Sequence, residues 1–256
     1  VKVAAFIPAR GGSKRVPGKN LAMVGNEALV ARACTAAREA GCSVVVSTDS
    51  DKIALHVTDI SELRSPLSTV TRYGYEIHHR PAQLASDHAQ IEDAIAHWWV
   101  RCDDKPDVLV LLQPTSPFRT AEHVREALQL LEATHADSVI GVTTGHEAHF
   151  AGRLKPRSEQ RDCNCRDATC SPIDKWFDWQ PFSPFDAKSR PRTQDLSPRG
   201  HENGAIYVTR REAWEKSCNR VSGHVVAYPM NRWEGFDIDT PDDLAVAQAL
   251  AEARGW

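Results

Sequence analysis

Apolar and polar positions alternate along this chain in two rhythms. After Lys2 the stretch "KVAAFIP" (2–8) is apolar throughout and reads as a strand buried on both faces. "EALVARACTAAREA" (27–40) reads as a helix that stops near Gly41. "SVVVST" (43–48) is a second strand, "IEDAIAHWWV" (91–100) a helix, and "DVLVLLQ" (107–113) a third strand. Thr120 is placed to cap "AEHVREALQLLEA", where Val124, Leu128 and Leu131 fall at core spacing. "DSVIGVT" (137–143) is the next strand. This order predicts an α/β fold with a mainly parallel sheet flanked by helices.

The rhythm fails over residues 144–200, which are rich in Pro, Arg, Asp and aromatics and keep no period. A structureless loop of that length does not suit a compact domain, so the segment is expected to be an inserted arm or small subdomain. Regular patterning returns with "NGAIYVTR" (203–210) and "HVVAYPM" (224–230). It closes with "GFDIDTPDDLAVAQALAEA" (235–253). There Thr240 suits an N-cap, Pro241 the first helical turn, and Asp242 and Asp243 the positive end of the helix dipole. No internal repeat is present, and a single domain over 1–256 with an insertion at 144–200 is the expected organisation.

Charge changes this picture only locally. The 256 residues hold 31 Lys+Arg against 34 Asp+Glu, so no global basic field draws the chain to nucleic acid or membrane. No run approaches the length of a membrane span, and "VKVAAFIP" is too short for a signal peptide. Seven scattered cysteines fit free thiols in a reducing cytoplasm better than a disulfide framework. Yet "IPARGGSKRVPGKN" (7–20) gathers Arg10, Lys14, Arg15 and Lys19 among Gly11, Gly12 and Gly18, straight after the first strand.

In open α/β sheets that place, the carboxyl end of a strand, is where ligands bind. Glycines allow close backbone approach and an anion nest, while Arg10 and Lys19 add charge-assisted hydrogen bonds. The ligand implied is a polyphosphate. Neither the P-loop nor the G-x-G-x-x-G fingerprint matches, because Gly18-Lys19 is followed by Asn20 and the glycine offsets differ. At the other end "FDIDT" sets Asp237 and Asp239 two apart, on one face if extended. Mg²⁺ bound with polyphosphate needs one or two such carboxylates; otherwise the acids simply precede a helix N-terminus.

Six segments together resemble the acylneuraminate (CMP-sialic acid) cytidylyltransferases and their relatives that activate other nonulosonic acids. They are "IPARGGSKRVPGKN", "VVVSTDSDKIA", "RPAQLASDHA" (80–89), "VLLQPTSPFR" (110–119), "NGAIYV" and "GFDIDTPDDL", in the family's order over nearly the whole chain. The resemblance implies a Rossmann-like nucleotidyltransferase fold, usually a homodimer. It implies a reaction of CTP with a 2-keto sugar acid to give the CMP-sugar and pyrophosphate, with Mg²⁺. Arg10 and Lys19 match the pair that holds the triphosphate, with Ala9, Gly11, Gly12 and Asn20 beside them. Arg80 and Ala89 fall on the nucleotide side. Gln113 falls near ribose and sugar acid, Tyr207 in the sugar pocket, and Asp237 and Asp239 at the metal, Asp239 joining Arg10 and Lys19 in catalysis.

The acceptor half departs from the family. Ala151 follows Phe150 where a basic residue is usual, and in "RPRTQDLSP" Thr193 stands where an arginine precedes the motif, with Arg192 one place earlier. Arg192 or Arg153 is then the candidate to face the acid's carboxylate. That leaves open other acceptors, such as 3-deoxy-manno-octulosonic acid or a phosphonate, and a non-catalytic nucleotide-binding homologue. The insert "TDISELRSPLSTVT" (58–71) lengthens the link to Arg80. Cys163, Cys165 and Cys170 lack the paired spacing of a zinc site and read as free thiols. The five aromatics of "KWFDWQPFSPF" (175–185) call for cover, by a second subunit or by the arm's own domain, so the arm is expected to serve in dimerisation and as an acceptor-side lid. "HWWV" (97–100) reads as helix core, not as a base-stacking surface.

Overall fold

The computed structural model describes residues 1–58, 69–70, 75–145, 152–156, 177–181 and 199–256. The chain divides into two compact units, Val1–Thr144 with Gly200–Trp256, and Gly145–Arg199. In chain order the elements begin with β1 (Val3–Pro8), the short pair β2 (Met23–Val24) and β3 (Glu27–Ala28), α1 (Leu29–Glu39), β4 (Ser43–Thr48) and α2 (Asp51–Val57). Next come β5 (Thr69–Val70), β6 (Tyr75–His79), α3 (Ile91–Trp99), β7 (Val108–Leu111), α4 (Ala121–Thr134) and β8 (Ser138–Gly145). β9 (Gly152–Pro156) and β10 (Phe177–Pro181) belong to the smaller unit. β11 (Arg199–Arg210), α5 (Arg211–Ser217), β12 (Val225–Met230) and α6 (Pro241–Ala253) complete the chain.

Eight strands form one sheet in the order β12-β8-β11-β7-β1-β4-β6-β5. β1 runs parallel to both neighbours, with Phe6 opposite Val45 on one side and Leu111 on the other. β11 is antiparallel to β7 and β5 to β6, so the sheet is mainly, not wholly, parallel. The unbroken apolar runs follow from two buried faces. Ala5, Ile7, Val46 and Val110 pack with Ala33 of α1 and Val124 and Leu131 of α4. Ala4, Phe6, Leu109 and Leu111 pack with Trp98 and Trp99 of α3 and Trp214 of α5. Each such large side chain contributes about 1.5–3 kcal/mol on burial. A third cluster joins Ala247 and Ala251 of α6 to Val24, Leu29, Phe118 and Ile238, which anchors the acidic segment before α6.

Several expected boundaries shift by a few residues. The helix expected from residue 27 begins at Leu29, because Glu27–Ala28 pair with Met23–Val24 across a turn at Gly25. Gly25 has φ 64, and a Cβ there would meet the Trp256 carbonyl oxygen at 2.4 Å. The strand expected from Asn203 begins at Arg199. Thr120 and Thr240 cap their helices as the pattern predicts. In the smaller unit β9 and β10 pair antiparallel, with Arg153 opposite Gln180. Phe150, Ala151, Cys163, Cys165, Cys170, Arg192 and Thr193 lie outside the described residues.

Candidate active site

The basic loop leaves β1 across the ends of its neighbours. The buried Ala9 extends the ladder by donating its N–H to the Ser47 carbonyl at 2.8 Å. Gly11 passes so near α2 that a Cβ would lie 2.8 Å from Ser50 Cβ. Its N–H donates to Asp49 Oδ1 at 2.8 Å, so one donor of the expected nest is already committed to a carboxylate. A Cβ at Gly12 would meet only open space. Gly18, at φ 68, starts the 3₁₀ turn Lys19–Leu21, and the buried Asn20 closes the loop by donating Nδ2 to the Arg10 carbonyl at 2.8 Å.

Arg10, Lys19, Asn20, Arg80, Ala89 and Gln113, all expected from the sequence, line one cavity of about 270 Å³. Arg80 is buried and held side-on, Nε to Ser47 Oγ and Nη2 to the Ser47 carbonyl, both at 3.1 Å. Burial pulls its pKa down to about 10, which leaves it charged at neutral pH. Asp87, also on the cavity wall, pairs with Arg10 Nη1 at 3.0 Å and Lys14 Nζ at 2.5 Å. Those cations, Lys14 first, hold its carboxyl below the usual range. Sequence reasoning missed Asp87, although an acid in "RPAQLASDHA" facing so basic a loop is a usable signal.

Lys19 meets the acidic segment from the other side. Its Nζ donates to the Ile238 carbonyl at 2.7 Å and lies 3.7 Å from Asp239 Oδ1, which Arg15 Nη2 also approaches at 3.1 Å. Ile238 turns into the core and its N–H donates to the Thr115 carbonyl at 2.9 Å. The carboxylates on either side of it both act on Lys19. Crowding by surrounding protein, with some repulsion from Asp239, raises the pKa of Asp237 despite a hydrogen bond with Thr115 and the Lys19 charge. Among the described residues no group of three or more His, Cys, Asp or Glu is arranged to hold a metal by itself. Two mutually repelling hard-oxygen carboxylates do fit a small divalent cation that takes its other ligands from phosphate and water.

A second cavity, of about 390 Å³, holds Asp237 together with Tyr207, Glu202, Asn203, Gly204 and Gly235. Tyr207 is buried, donates its hydroxyl to Glu202 Oε1, and carries the Arg220 guanidinium over its ring at 4.8 Å. Burial and that acceptor raise its pKa. A Cβ on Gly235 would lie 2.4 Å from Asn203 Nδ2 and 2.5 Å from Thr143 Oγ1, so both side chains would have to shift to admit one. Gln113 of the first cavity and Gly204 (φ 74) of the second stand next to each other: a Cβ on Gly204 would approach Gln113 Nε2 at 3.3 Å. Arg119 fixes that junction, its Nη1 donating to the Gln113 and Ala205 carbonyls, both at 3.0 Å. It is buried, and desolvation lowers its pKa to about 10. Glu202 and Arg119 were not anticipated; Arg119 ends the "VLLQPTSPFR" motif. Arg192, expected on the acceptor side, is outside the described residues, and of Arg153 only the strand position is described.

A mainly parallel sheet, with cations at the end of its first strand facing paired carboxylates near the chain's other end, is the arrangement of a nucleotidyltransferase. The CMP:2-keto-3-deoxy-manno-octonic acid synthetase solved in complex with CTP shares this fold, with TM-score 0.61 and 16% identity over 99% of this chain and 100% of that one. The family model described as cytidylyltransferase matches residues 4–156, and the chain belongs to that family. It is 29% identical over 254 residues to N-acylneuraminate cytidylyltransferase B of Danio rerio, covering 99% of this chain and 52% of that protein. It is also 29% identical over 265 residues to the CMP-N,N'-diacetyllegionaminic acid synthase of Legionella pneumophila, covering 98% and 97%. The chain thus spans about half the length of the N-acylneuraminate cytidylyltransferases that it matches.

Proposed function

We propose that this protein transfers CMP from CTP to the anomeric hydroxyl of a nonulosonic, sialic-acid-like 2-keto sugar acid and releases pyrophosphate. The observation that carries the reading is that two cavities lie side by side at Gln113 and Gly204, one lined by Arg10, Lys19 and Arg80 and the other by Tyr207 and Asp237. The first suits a nucleoside triphosphate and the second a polyhydroxylated acid. The hydroxyl oxygen attacks the α-phosphorus, the bond to the bridging oxygen of pyrophosphate breaks, and the hydroxyl proton passes to solvent. Little covalent work falls to the protein, so rate comes from alignment and from cations opposite developing charge. Arg10 and Lys19 supply those charges, and Gln113 and Tyr207 orient the acceptor. Mg²⁺, held by Asp237 and Asp239, would neutralise phosphate oxygens when bound.

The names of the relatives support a nonulosonic acceptor. Ala151 and Thr193, at two slots where cations are usual in the family, favour one other than N-acetylneuraminic acid, with Arg153 or Arg192 turned to its carboxylate. We further infer a homodimer built on the aromatic-rich 144–200 segment, which would also serve as the acceptor-side lid. The free thiols Cys34, Cys42, Cys102 and Cys218 suit work in the cytoplasm, and no helix among the described residues is long and apolar enough to cross a membrane. The deciding experiment is pyrophosphate release from CTP over a panel of sugar acids, with and without Mg²⁺. Release with a nonulosonic acid other than N-acetylneuraminic acid is expected. Turnover restricted to 3-deoxy-manno-octulosonic acid, or absent with every acid, overturns the reading.

A further inference from the structure

Behind Arg80 runs a chain of hydrogen bonds that leads out of the nucleotide cavity. Ser47 Oγ, which accepts from Arg80 Nε at 3.1 Å, lies 2.9 Å from His78 Nδ1. His78 Nε2 lies 2.7 Å from His97 Nδ1 on α3. Ser47, His78 and Arg80 are buried, and His97 is half-buried at the far end of the chain. Hydrogen-bonding capacity favours one direction. A guanidinium can only donate, so Ser47 Oγ must accept from Arg80 and has a single hydrogen to give. Given to His78 Nδ1, that hydrogen makes His78 the Nε2–H tautomer, which in turn donates to an unprotonated His97 Nδ1.

We propose that His78 and His97 are positioning residues for nucleotide binding: acting through Ser47, they keep the Arg80 guanidinium held side-on while both imidazoles are neutral. The inference rests on reading the Arg80 cavity as the nucleotide site. The side-on edge of Arg80, Nε with Nη2, is occupied by Ser47, which leaves its end-on edge for a ligand in the cavity that it lines. A proton added at His97 Nδ1 reverses the chain. His78 must then carry its hydrogen on Nδ1, and Ser47 Oγ faces two donors while its own buried hydrogen loses its acceptor, a costly arrangement.

The surroundings favour the neutral chain. The charged and titratable groups facing His78 are His97 and Arg101 from the α3 side, and Arg80 and His79 at the end of its own strand. From β1 the Phe6 ring lies at 6.1 Å, and from β4 Ser47 makes the hydrogen bond. Glu76, two residues back on β6, is engaged by the Trp98 indole N–H at 2.9 Å. Burial first, and then Arg101, which donates to the His97 carbonyl at 2.9 Å, disfavour a proton on His97 as well.

Nitrogen-15 NMR of the imidazoles and calorimetric CTP binding between pH 5 and 8 test this in the full chain, with melting temperatures as a control on folding. The parent should show His78 as the Nε2–H tautomer at pH 7.5 and bind CTP less tightly toward pH 5. His97→Leu removes the acceptor and should weaken CTP binding at pH 7.5 by roughly three- to ten-fold, the scale of coupling within one network. His97→Gln keeps an acceptor that cannot titrate; it should bind like the parent at pH 7.5 and lose part of the acid-side decline. A His78 Nδ1–H tautomer in the parent overturns the proposal, as does a His97→Gln variant with the parent's full acid-side decline. If His97→Leu does not fold, those two measurements decide. A parent with the expected tautomer that binds no CTP at any pH overturns the nucleotide reading, and the role given to the chain falls with it. CTP binding by the parent with unchanged affinity and pH profile in folded His97→Leu overturns this inference alone.

Discussion

Burial and two aspartates pull on Lys19 in opposite directions. Desolvation lowers its pKa, while Asp237 and Asp239 hold the charge in place. Arg10 is held differently, by Asp87 alongside Lys14. In the ligand-free protein a carboxylate therefore stands against the cations that a triphosphate would use. Opposite outcomes follow for two substitutions. Lys19→Ala should weaken CTP binding by about 1.5–3 kcal/mol, the range of a charged hydrogen bond. Asp87→Asn, which removes a competing anion, should tighten CTP binding a few-fold at low salt and less at high salt. Calorimetry at two ionic strengths checks both; weaker binding in Asp87→Asn would show that Asp87 serves the ligand rather than opposing it. Arg10, Lys19 and Gln113 were legible because their motifs keep a fixed order along the chain. Asp87, Arg119 and Ser47 were not, because each acts on a partner at least 33 positions away or through a backbone carbonyl, which leaves no local pattern.

At the scale of elements, the start of α6 connects stability to the acidic pair. Asp243 Oδ2 accepts from the N–H groups of Asp239 at 3.0 Å and Thr240 at 2.7 Å, and from Thr240 Oγ1 at 2.7 Å. Thr240 Oγ1 accepts in return from the Asp243 N–H at 3.2 Å, which completes a capping box. The cap that starts the helix thus also fixes the backbone of Asp239. Asp243→Ala should cost about 1 kcal/mol in denaturant unfolding, the usual loss for a cap. It should lower turnover by more than that loss explains at temperatures where the variant is fully folded. Asp243→Asn keeps an acceptor and should recover most of both; turnover unchanged in Asp243→Ala would separate the cap from the site. This helix was readable from Thr240, Pro241 and the acids because capping is local chemistry. The seven-residue α2 and α5 are too short to show a helical repeat. The strand Tyr75–His79 hid its alternation, because its His78 is a buried polar residue.

For the molecule as a whole, the same buried histidine predicts how stability depends on pH. Burial first, then the neighbouring bases, lower the pKa of His78 to about 3, against about 6.5 in an unfolded chain. Well above pH 6.5 neither state binds the proton and His78 contributes no slope. As pH falls below 6.5 the unfolded chain takes up a proton that the folded protein refuses, so stability falls by at most about 1.4 kcal/mol per pH unit. His97, also lowered, adds a slope of the same sign. The depressed carboxyls Asp87, Asp107 and Asp243 lose their contribution only as pH falls through the ordinary carboxylate range and below it. Asp237 and Glu76, raised, act in the opposite sense, beginning above that range. The window from pH 7 down to about 5 therefore belongs mainly to the histidines. Urea midpoints across it should fall in the parent, and His78→Gln, which keeps hydrogen-bonding groups but cannot titrate there, should flatten the fall whatever its stability at pH 7. A parent whose midpoint falls no more steeply from pH 7 to 5 than that of His78→Gln would mean that His78 takes up its proton in the folded protein, and the neutral chain behind Arg80 could not then persist.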